Sequence, residues 1–312
     1  MDRRDFFRTT AAAAALGAIG MPAAATPATP SIPKRPLGKT GEHLTIFGFG
    51  GTAVMAVEQA AANDLVAETF DRGVNYYDVS PTYGNAEERL GPALEPFRKR
   101  CFLSSKTDFR DRAGAAADLY KSLKTLRTDH FDLYQHHAVT PADWERIVGP
   151  AGAMEAFVAA RAAGKTRFLG ISTHSVEVAA AAIALGELDT IMFPINYVLS
   201  ARSSFGPQVI EQARKQGMGV LAIKAMARGK YPANLPEGQR TPKCWYEPTT
   251  RAEEAALAYR WTLSQPVTSA IPPGNPDWYA MALGVAQDFR PITAAETTQL
   301  LKHLPGADPL FA

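Results

Sequence analysis

The segment Val74-Asn75-Tyr76-Tyr77-Asp78 decides the fold, because it is an apolar strand that ends in a carboxylate. Two later segments repeat this design: Lys106 follows the strand Phe102–Ser105, and His137 lies just beyond the strand Phe131–Gln135. Parallel strands bring such residues to one rim, and in a barrel of alternating strands and helices that rim holds the active site. An acid, an amine and an imidazole gathered there suggest proton transfer to or from an oxygen.

Strands and helices alternate throughout residues 31–312, which we predict to form one α/β domain. The predicted strands are Thr45–Phe49, Val74–Tyr77, Phe102–Ser105, Phe131–Gln135, Arg167–Ile171, Thr190–Ile195, Val220–Ile223 and Val267–Ile271. The predicted helices are Asn63–Arg72, Ala86–Glu95, Ala115–Leu126, Pro141–Ala163, Val176–Leu185, Pro207–Lys215, Arg251–Ser264 and one that begins at Pro276. This alternation predicts a closed (β/α)8 TIM barrel. A hairpin within Arg35–Leu44 is expected to close its base, and Thr293–Leu304 to add a C-terminal helix.

Composition indicates a soluble enzyme-sized domain. The chain has 312 residues and a formal net charge of +2, so nothing favours a nucleic acid or an anionic membrane as partner. No apolar stretch beyond residue 30 is long enough to span a bilayer. The only cysteines, Cys101 and Cys244, fall at opposite ends of the predicted barrel, so we expect both thiols to stay free.

Residues 1–30 have the layout of a twin-arginine (Tat) export leader. Arg3 and Arg4 precede a mildly apolar, alanine-rich stretch over Ala11–Met21, and the small residues after it offer a cleavage site behind Ala25. The Tat machinery carries folded proteins, so the chain is expected to reach the periplasm folded, and a cofactor can be bound before export. The alternative is a disordered tail rich in alanine and proline.

Four segments together make the chain resemble the aldo-keto reductase superfamily over essentially all of residues 31–312. These segments are Gly73–Asp78 followed by Tyr83-Gly84, Ser105-Lys106 at a strand end, Asp132–His137, and Gly164–Ser172. Each falls on the expected element of the barrel, which makes the resemblance specific. It implies an NAD(P)H-dependent oxidoreductase that reduces an aldehyde, a ketone or a sugar-like carbonyl by hydride transfer.

The resemblance implies a catalytic tetrad of Asp78, Tyr83, Lys106 and His137, and the chemistry of these side chains agrees with it. Carbonyl reduction places a hydride on carbon while a proton reaches the oxygen. A free tyrosine, with a pKa of about 10, holds its proton tightly, and a nearby ammonium lowers that pKa. We therefore expect Tyr83 to be the general acid and Lys106 its activator, held by Asp78. His137 is expected to donate a hydrogen bond to the carbonyl oxygen.

The resemblance also implies that a nicotinamide nucleotide lies across the rim. Ser172 and Asn196 match positions that bind the carboxamide, whereas Thr173 replaces the usual asparagine of the family. Ala222–Met226 supplies aliphatic surface where an aromatic residue often stacks on the nicotinamide. The predicted cofactor-binding residues are Gly51, Thr52, Ser172, Asn196, Lys224, Ala225, Met226 and Gly274.

Trp278 stands where many members of the family carry an arginine that pairs with the 2′-phosphate of NADPH. Loss of such a charge-assisted partner is typically worth about 1.5–3 kcal/mol. NADP(H) is the cofactor that the family implies, and NAD(H) becomes possible because of Trp278. Lys224 or Arg228 could replace the arginine from another loop.

Several side chains near the rim have two interpretations. Adjacent strand residues point to opposite faces, so we expect His137 at the barrel mouth and His136 in a structural role. His174 either lines the pocket or caps the following helix. Three aromatic residues form either a substrate wall or satellite packing under a long loop: Trp245, Tyr246 and Trp278.

Two other functions agree with parts of the sequence. A nucleotide-binding barrel that senses redox state, or serves as an accessory subunit with little turnover, would explain the altered phosphate site and the missing aromatic residue. A metal-dependent isomerase or hydrolase would need several Asp, Glu or His residues at successive strand ends. Lys106, Ser172 and Asn196 occupy those positions instead, so the metal-dependent function ranks last.

Overall fold

The structure, a computed structural model, describes residues 31–249 and 251–311. The export leader predicted over residues 1–30 lies outside these ranges. The strands are β1 (Lys34–Pro36), β2 (His43–Thr45), β3 (Phe49–Gly50), β4 (Tyr76–Asp78), β5 (Phe102–Thr107), β6 (Phe131–Val139), β7 (Thr166–Thr173), β8 (Thr190–Pro194), β9 (Gly219–Ile223), β10 (Ala227–Gly229), β11 (Glu247–Pro248) and β12 (Ser269–Ile271). The α-helices are α1 (Gln59–Asp71), α2 (Ala86–Leu94), α3 (Arg112–Thr125), α4 (Pro141–Val148), α5 (Ala153–Ala162), α6 (Val176–Leu185), α7 (Tyr197–Ser203), α8 (Pro207–Lys215), α9 (Ala252–Ser264), α10 (Pro276–Gln287) and α11 (Ala294–Leu301).

Parallel strands form a closed barrel at the centre of the molecule. Their order is β3-β4-β5-β6-β7-β8-β9-β12. The barrel closes between the first and the last of these strands, where Phe47, just before β3, forms a parallel bridge with Ala270 of β12. The Ala270 carbonyl oxygen accepts a hydrogen bond from the Gly48 N–H at 3.1 Å, and the Ala270 N–H donates to the Ile46 carbonyl oxygen at 2.8 Å. The predicted (β/α)8 barrel is therefore confirmed.

A hairpin closes the base of the barrel, as predicted. β1 and β2 pair antiparallel, with Arg35 opposite Leu44. Leu37 and Leu44 are fully buried and pack inside the barrel against Tyr76 and Leu133. Because apolar side chains fill this end, the polar side chains of the strands gather at the other end.

One predicted helix is wrong, because the segment Pro141–Ala163 folds as the two helices α4 and α5. The chain turns sharply over residues 149–152, where Pro150 has no N–H to continue the helical hydrogen bonds. A Cβ at Gly152 would lie 2.3 Å from the Ile147 carbonyl oxygen, so the turn needs glycine there. The Gly-Pro pair that starts the turn is a turn sequence, which the apolar helical pattern on both sides obscured.

The structure differs from the predicted elements at both ends of the barrel. The predicted first strand, Thr45–Phe49, divides between the hairpin strand β2 and the barrel strand β3. The loop after β9 contains the two-stranded sheet of β10 and β11, and the short helix α7 follows β8.

Within the described ranges, no helix has the length and apolar character needed to cross a membrane.

Candidate active site

Three strand ends and one turn bring the predicted tetrad to a cavity of about 440 Å³ at the carboxyl rim. Asp78 is the last residue of β4, Lys106 lies one residue before the end of β5, and His137 lies two residues before the end of β6. Tyr83 lies in a turn after β4, and its backbone N–H donates to the Ser80 carbonyl oxygen at 3.0 Å. Asp78, Tyr83 and His137 line the cavity, and Lys106 is fully buried behind them.

The Lys106 ammonium and the Asp78 carboxylate form a short, buried ion pair. The ammonium also donates to the Val79 carbonyl oxygen at 3.1 Å. The second Asp78 oxygen accepts from the Ser104 hydroxyl at 2.5 Å and from the Gln135 amide at 3.2 Å. A buried ion pair is stable only when further hydrogen bonds satisfy its charges, so Ser104 and Gln135 belong to the site although the sequence analysis missed them.

Electrostatics keep Lys106 charged and Tyr83 protonated. Burial alone would lower the pKa of Lys106, but the Asp78 carboxylate and the Tyr83 phenol raise it above its ordinary value. Burial raises the pKa of Tyr83, and the Lys106 ammonium, 5.1 Å from the centre of the phenol ring, opposes this rise. The net pKa shift of Tyr83 is upward, because desolvation of the phenolate outweighs the attraction of the ammonium. The sequence analysis had predicted a lowered pKa.

His137 faces the cavity next to Tyr83. The pairing of β6 with β7 shifts register between residues 136 and 139, and Ala138 between them has a φ of 49°. The His137 ring lies edge-on to the Tyr83 ring, with 5.7 Å between the ring centres. Its Nδ1 atom lies 3.1 Å from the Asp108 carboxylate. The sequence analysis missed Asp108, although it lies only two residues beyond the predicted catalytic lysine.

The Asp108 carboxylate fixes which nitrogen of His137 carries a proton. Burial would raise the pKa of Asp108, but the hydrogen bond with His137 and the charge of Arg110 lower it below its ordinary range. An ionised acceptor at Nδ1 requires a proton on that nitrogen, so Nε2 of the neutral ring is unprotonated. His137 can therefore donate a hydrogen bond from Nε2 only as an imidazolium.

His136 lies on the other face of β6 and packs into the core. Its ring stacks on Phe157 with 3.7 Å between the ring centres, and burial lowers its pKa to about 3. Neither ring nitrogen has a hydrogen-bond partner within residues 31–249 and 251–311. A neutral, stacked ring agrees with the structural role predicted for His136.

The predicted cofactor-binding residues divide into those that line the cavity and those that do not. Gly51 lies beside Thr52 in the 3-10 turn that follows β3. Gly274 packs so closely on this turn that an added Cβ would lie 2.6 Å from the Thr52 carbonyl oxygen. Ala225 and Met226 are fully buried in the core. Three of the predicted residues line the cavity: Thr52, Ser172 and Lys224.

Asn196 has both ends of its amide engaged within the protein. Its Oδ1 accepts from the Leu199 N–H at 2.9 Å and caps α7, and its Nδ2 donates to the Lys224 carbonyl oxygen at 3.1 Å. Thr173 is engaged in the same way, because its hydroxyl donates to the Val139 carbonyl oxygen at 2.7 Å. Ser172 is thus the residue of the predicted carboxamide set that faces the cavity.

Aromatic side chains from distant parts of the chain line the outer cavity. Trp245 is 64% exposed, and its ring centre lies 6.1 Å from that of Tyr83. His174 stacks on Phe311 at 4.8 Å and lines the cavity, whereas the cap of α6 is Ser175. Four of these ring side chains belong to the cavity wall: His174, Trp245, Tyr246 and Phe311.

Other residues singled out in the sequence lie away from the reacting groups. Trp278 packs against the hydrophobic core. Cys101 and Cys244 are free and buried, and the Cys244 thiol donates to the Tyr246 carbonyl oxygen at 3.3 Å. In the part of the chain that the structure describes, no three His, Cys, Asp or Glu side chains are grouped so that they could hold a metal ion.

Comparison with known proteins gives one consistent family. Residues 46–276 match the Aldo/keto reductase family. Aldo-keto reductase YhdN from Bacillus subtilis (strain 168) is 27% identical over 208 residues, which are 62% of this chain and 60% of that protein. L-Galactose dehydrogenase from Arabidopsis thaliana is 26% identical over 215 residues, which are 62% of this chain and 66% of that protein. The chain therefore spans less than two thirds of the length of these two relatives.

A solved structure shares the fold over almost the whole described chain. The holo form of an aldo-keto reductase from Bacillus halodurans superposes with a TM-score of 0.68 at 25% identity. The match covers 90% of this chain and 98% of the other. The overall barrel fold therefore has a counterpart in a solved structure.

The contact between Asp108 and His137 predicts the tautomer of the neutral imidazole. In the wild-type protein we expect the proton on Nδ1, and in Asp108→Ala we expect the Nε2–H form to gain population, because the acceptor at Nδ1 is lost. Long-range ¹H–¹⁵N spectra of histidine-labelled protein measure this directly.

Asp129→Ala is the matched control, because its carboxylate makes the same kind of contact with Nδ1 of His130, at 2.7 Å. This variant should change the His130 resonances and leave those of His137 in place. A neutral His137 that is protonated on Nε2 in the wild-type protein would contradict the assignment.

Proposed function

The chain belongs to the aldo/keto reductase family, and from that premise we propose that it reduces the carbonyl group of an aldehyde, a ketone or a sugar-like compound with a nicotinamide nucleotide. One observation carries the proposal: a phenol, an imidazole and a buried ammonium–carboxylate pair meet at one cavity. Groups arranged in this way can deliver a proton to an oxygen and stabilise the charge that develops there.

The chemistry of the cavity is suited to a nicotinamide ring. Ile223, Ile271 and Pro272 provide apolar wall, and Ser172 provides a hydroxyl that can meet the carboxamide. Thr52 lines the same cavity from the turn after β3. When bound, the reduced nicotinamide supplies the hydride for the carbonyl carbon.

The protein itself supplies the proton and the electrostatic stabilisation. Tyr83 donates its phenolic proton to the carbonyl oxygen, and the Lys106 ammonium stabilises the phenolate that remains. Asp78 keeps this ammonium charged and in place. When its ring is protonated, His137 can donate from Nε2 to the same oxygen and orient it. Burial of the ion pair excludes water, so these interactions are stronger than they would be in bulk solvent.

A specific observation favours a second function, a nucleotide-binding barrel with little turnover. The amide of Asn196 is engaged within the protein, so one of the carboxamide contacts expected from the sequence requires a rearrangement. Nucleotide binding without reduction of any aldehyde would support this function. Turnover that depends on Tyr83 would exclude it.

Tyr83→Phe should lower kcat/KM for a generic aldehyde by about 100- to 10,000-fold, the usual contribution of a positioned general acid. The variant keeps the ring and removes the proton that reaches the oxygen. Steady-state kinetics with NADH and with NADPH provide the measurement.

Tyr134→Phe is the control, because Tyr134 is also buried in the barrel wall and its hydroxyl has no hydrogen-bond partner in the described ranges. It should stay within about threefold of the wild-type kcat/KM, as expected for a change that touches no reacting group. Equal activity of Tyr83→Phe and the wild-type protein would exclude Tyr83 as the acid.

We propose that the cofactor site does not discriminate in favour of NADPH. Residues 266–289 contain neither lysine nor arginine, and Asp277 lies in the first turn of α10 beside Trp278. An arginine at position 278 would restore a charge-assisted partner for the 2′-phosphate.

Trp278→Arg should therefore tighten binding of NADPH by about tenfold or more, since such a pair is worth about 1.5–3 kcal/mol and 1.4 kcal/mol is tenfold. Binding of NADH should change far less. Fluorescence titration with both nucleotides provides the dissociation constants, and Trp278→Gln shows the effect of removing the indole alone. An equal gain for NADH and NADPH would rule out a 2′-phosphate contact at this position.

We also propose that residues 1–30 direct the folded protein to the periplasm through the Tat machinery. The proposal is supported by the Arg3-Arg4 pair ahead of the alanine-rich stretch. Replacing both arginines with lysine keeps the charge and should leave the protein in the cytoplasmic fraction, as measured by cell fractionation and immunoblotting. Unchanged export of the double variant would contradict the proposal.

A further inference from the structure

Lys224, directly after β9, is held in a strained backbone conformation. Its φ is 62°, in the left-handed region that residues other than glycine rarely adopt. Two hydrogen bonds fix its carbonyl oxygen, one from Asn196 Nδ2 at 3.1 Å and one from the Ala227 N–H at 3.1 Å. Strain of this kind persists only where the surroundings enforce it, and it is concentrated at functional sites.

The Lys224 side chain brings an uncompensated positive charge to the cavity. It lines the same cavity as Tyr83 and His137. Within residues 31–249 and 251–311, its ammonium has neither a carboxylate partner nor a hydrogen-bond acceptor. Burial lowers its pKa to about 8, the Cys244 thiol opposes this shift, and the Lys106 ammonium adds to it.

Lys243, another lysine of the cavity wall, is in a different situation. Its ammonium donates to the Ala53 carbonyl oxygen at 2.9 Å and so links the loop after β9 to the turn after β3. Asp78 does not balance Lys224 either, because Asp78 is paired with Lys106. A cavity with this charge distribution attracts an anion, and Lys224, which has no partner in the described part of the chain, is the group that can receive it.

We propose that Lys224 binds a carboxylate of the substrate, so that the preferred substrates are aldehydes or ketones that also carry an acid group. This inference rests on the proposed carbonyl reduction. Trp245, Tyr246 and Phe311 add aromatic surface to the cavity wall, which suits a substrate with an apolar or aromatic body between its carbonyl and its carboxylate.

The position of Lys224 favours the substrate over the phosphates of the nucleotide. Lys224 lines the same cavity as Tyr83 and His137, the groups that face the reacting oxygen. A reduced nicotinamide ring bound beside Tyr83 would be uncharged, and a ribose would separate it from the nearest phosphate. An anion that reaches Lys224 there is therefore part of the substrate.

Binding of benzoate and benzamide, without nucleotide, tests the anion site separately from catalysis. The variants are Lys224→Met, which removes the charge, and Lys224→Arg, which keeps it; both are unbranched at Cβ, so the backbone strain stays comparable. Lys243→Met is the matched control. We expect the dissociation constant of benzoate to rise at least tenfold in Lys224→Met. It should rise less than threefold in Lys224→Arg and in Lys243→Met. That of benzamide should change by less than a factor of two. Titration calorimetry provides the values.

The substrate class is tested by kinetics with 3- and 4-carboxybenzaldehyde against 3- and 4-methylbenzaldehyde. Lys224→Met should lower the ratio of kcat/KM for the acid to that for the methyl compound at least tenfold, and Lys224→Arg should largely restore this ratio.

An unchanged benzoate affinity in Lys224→Met overturns the proposal. So does a loss of NADH affinity as large as the loss of benzoate affinity, because Lys224 would then serve a phosphate. If no aldehyde is reduced while benzoate binding still depends on Lys224, the reduction proposal fails and the anion site stands.

Discussion

The buried ion pair between Asp78 and Lys106 constrains the rest of the site. Two charges removed from water are stable only if their geometry and their remaining hydrogen bonds are right, and here those bonds come from neighbouring strands. Asp78 lies opposite Ser104 on β5, and Lys106 lies opposite Gln135 on β6. The parallel register of the three strands therefore places Ser104 and Gln135, which donate to the Asp78 carboxylate. A register shift of one residue would turn these polar groups into the apolar layer outside the barrel.

The sequence predicted this end of the barrel well because the relevant rules are local. A strand has a side-chain period of two, and parallel strands end at one rim, so an acid, an amine and an imidazole at three strand ends had to come close together. The same period separated the stacked His136 from His137 at the cavity. The turn after Val148 is also local, but the prediction missed it, because an apolar helical pattern continues on both sides of its Gly-Pro pair.

The parts that the sequence could not predict depend on contacts between distant residues. Ser104 and Gln135 become partners of Asp78 only through the strand register, which no single strand specifies. Phe311 reaches the cavity because the C-terminal tail crosses the rim and stacks on His174. Asp108 contacts His137 across two strand ends. Each residue looks like an ordinary polar or apolar side chain until the tertiary structure gives it a neighbour.

The two sides of the cavity differ in how their charges are balanced, and this difference follows from the fold. On one side Asp78 is paired with Lys106, so the anion nearest the reacting oxygen is already neutralised. On the other side the Asn196 amide holds the backbone of Lys224, whose ammonium has no partner among residues 31–249 and 251–311. The field at the cavity is therefore positive, which stabilises negative charge on a carbonyl oxygen. The same field favours a ligand that brings its own negative charge, so catalysis and substrate choice depend on one electrostatic arrangement.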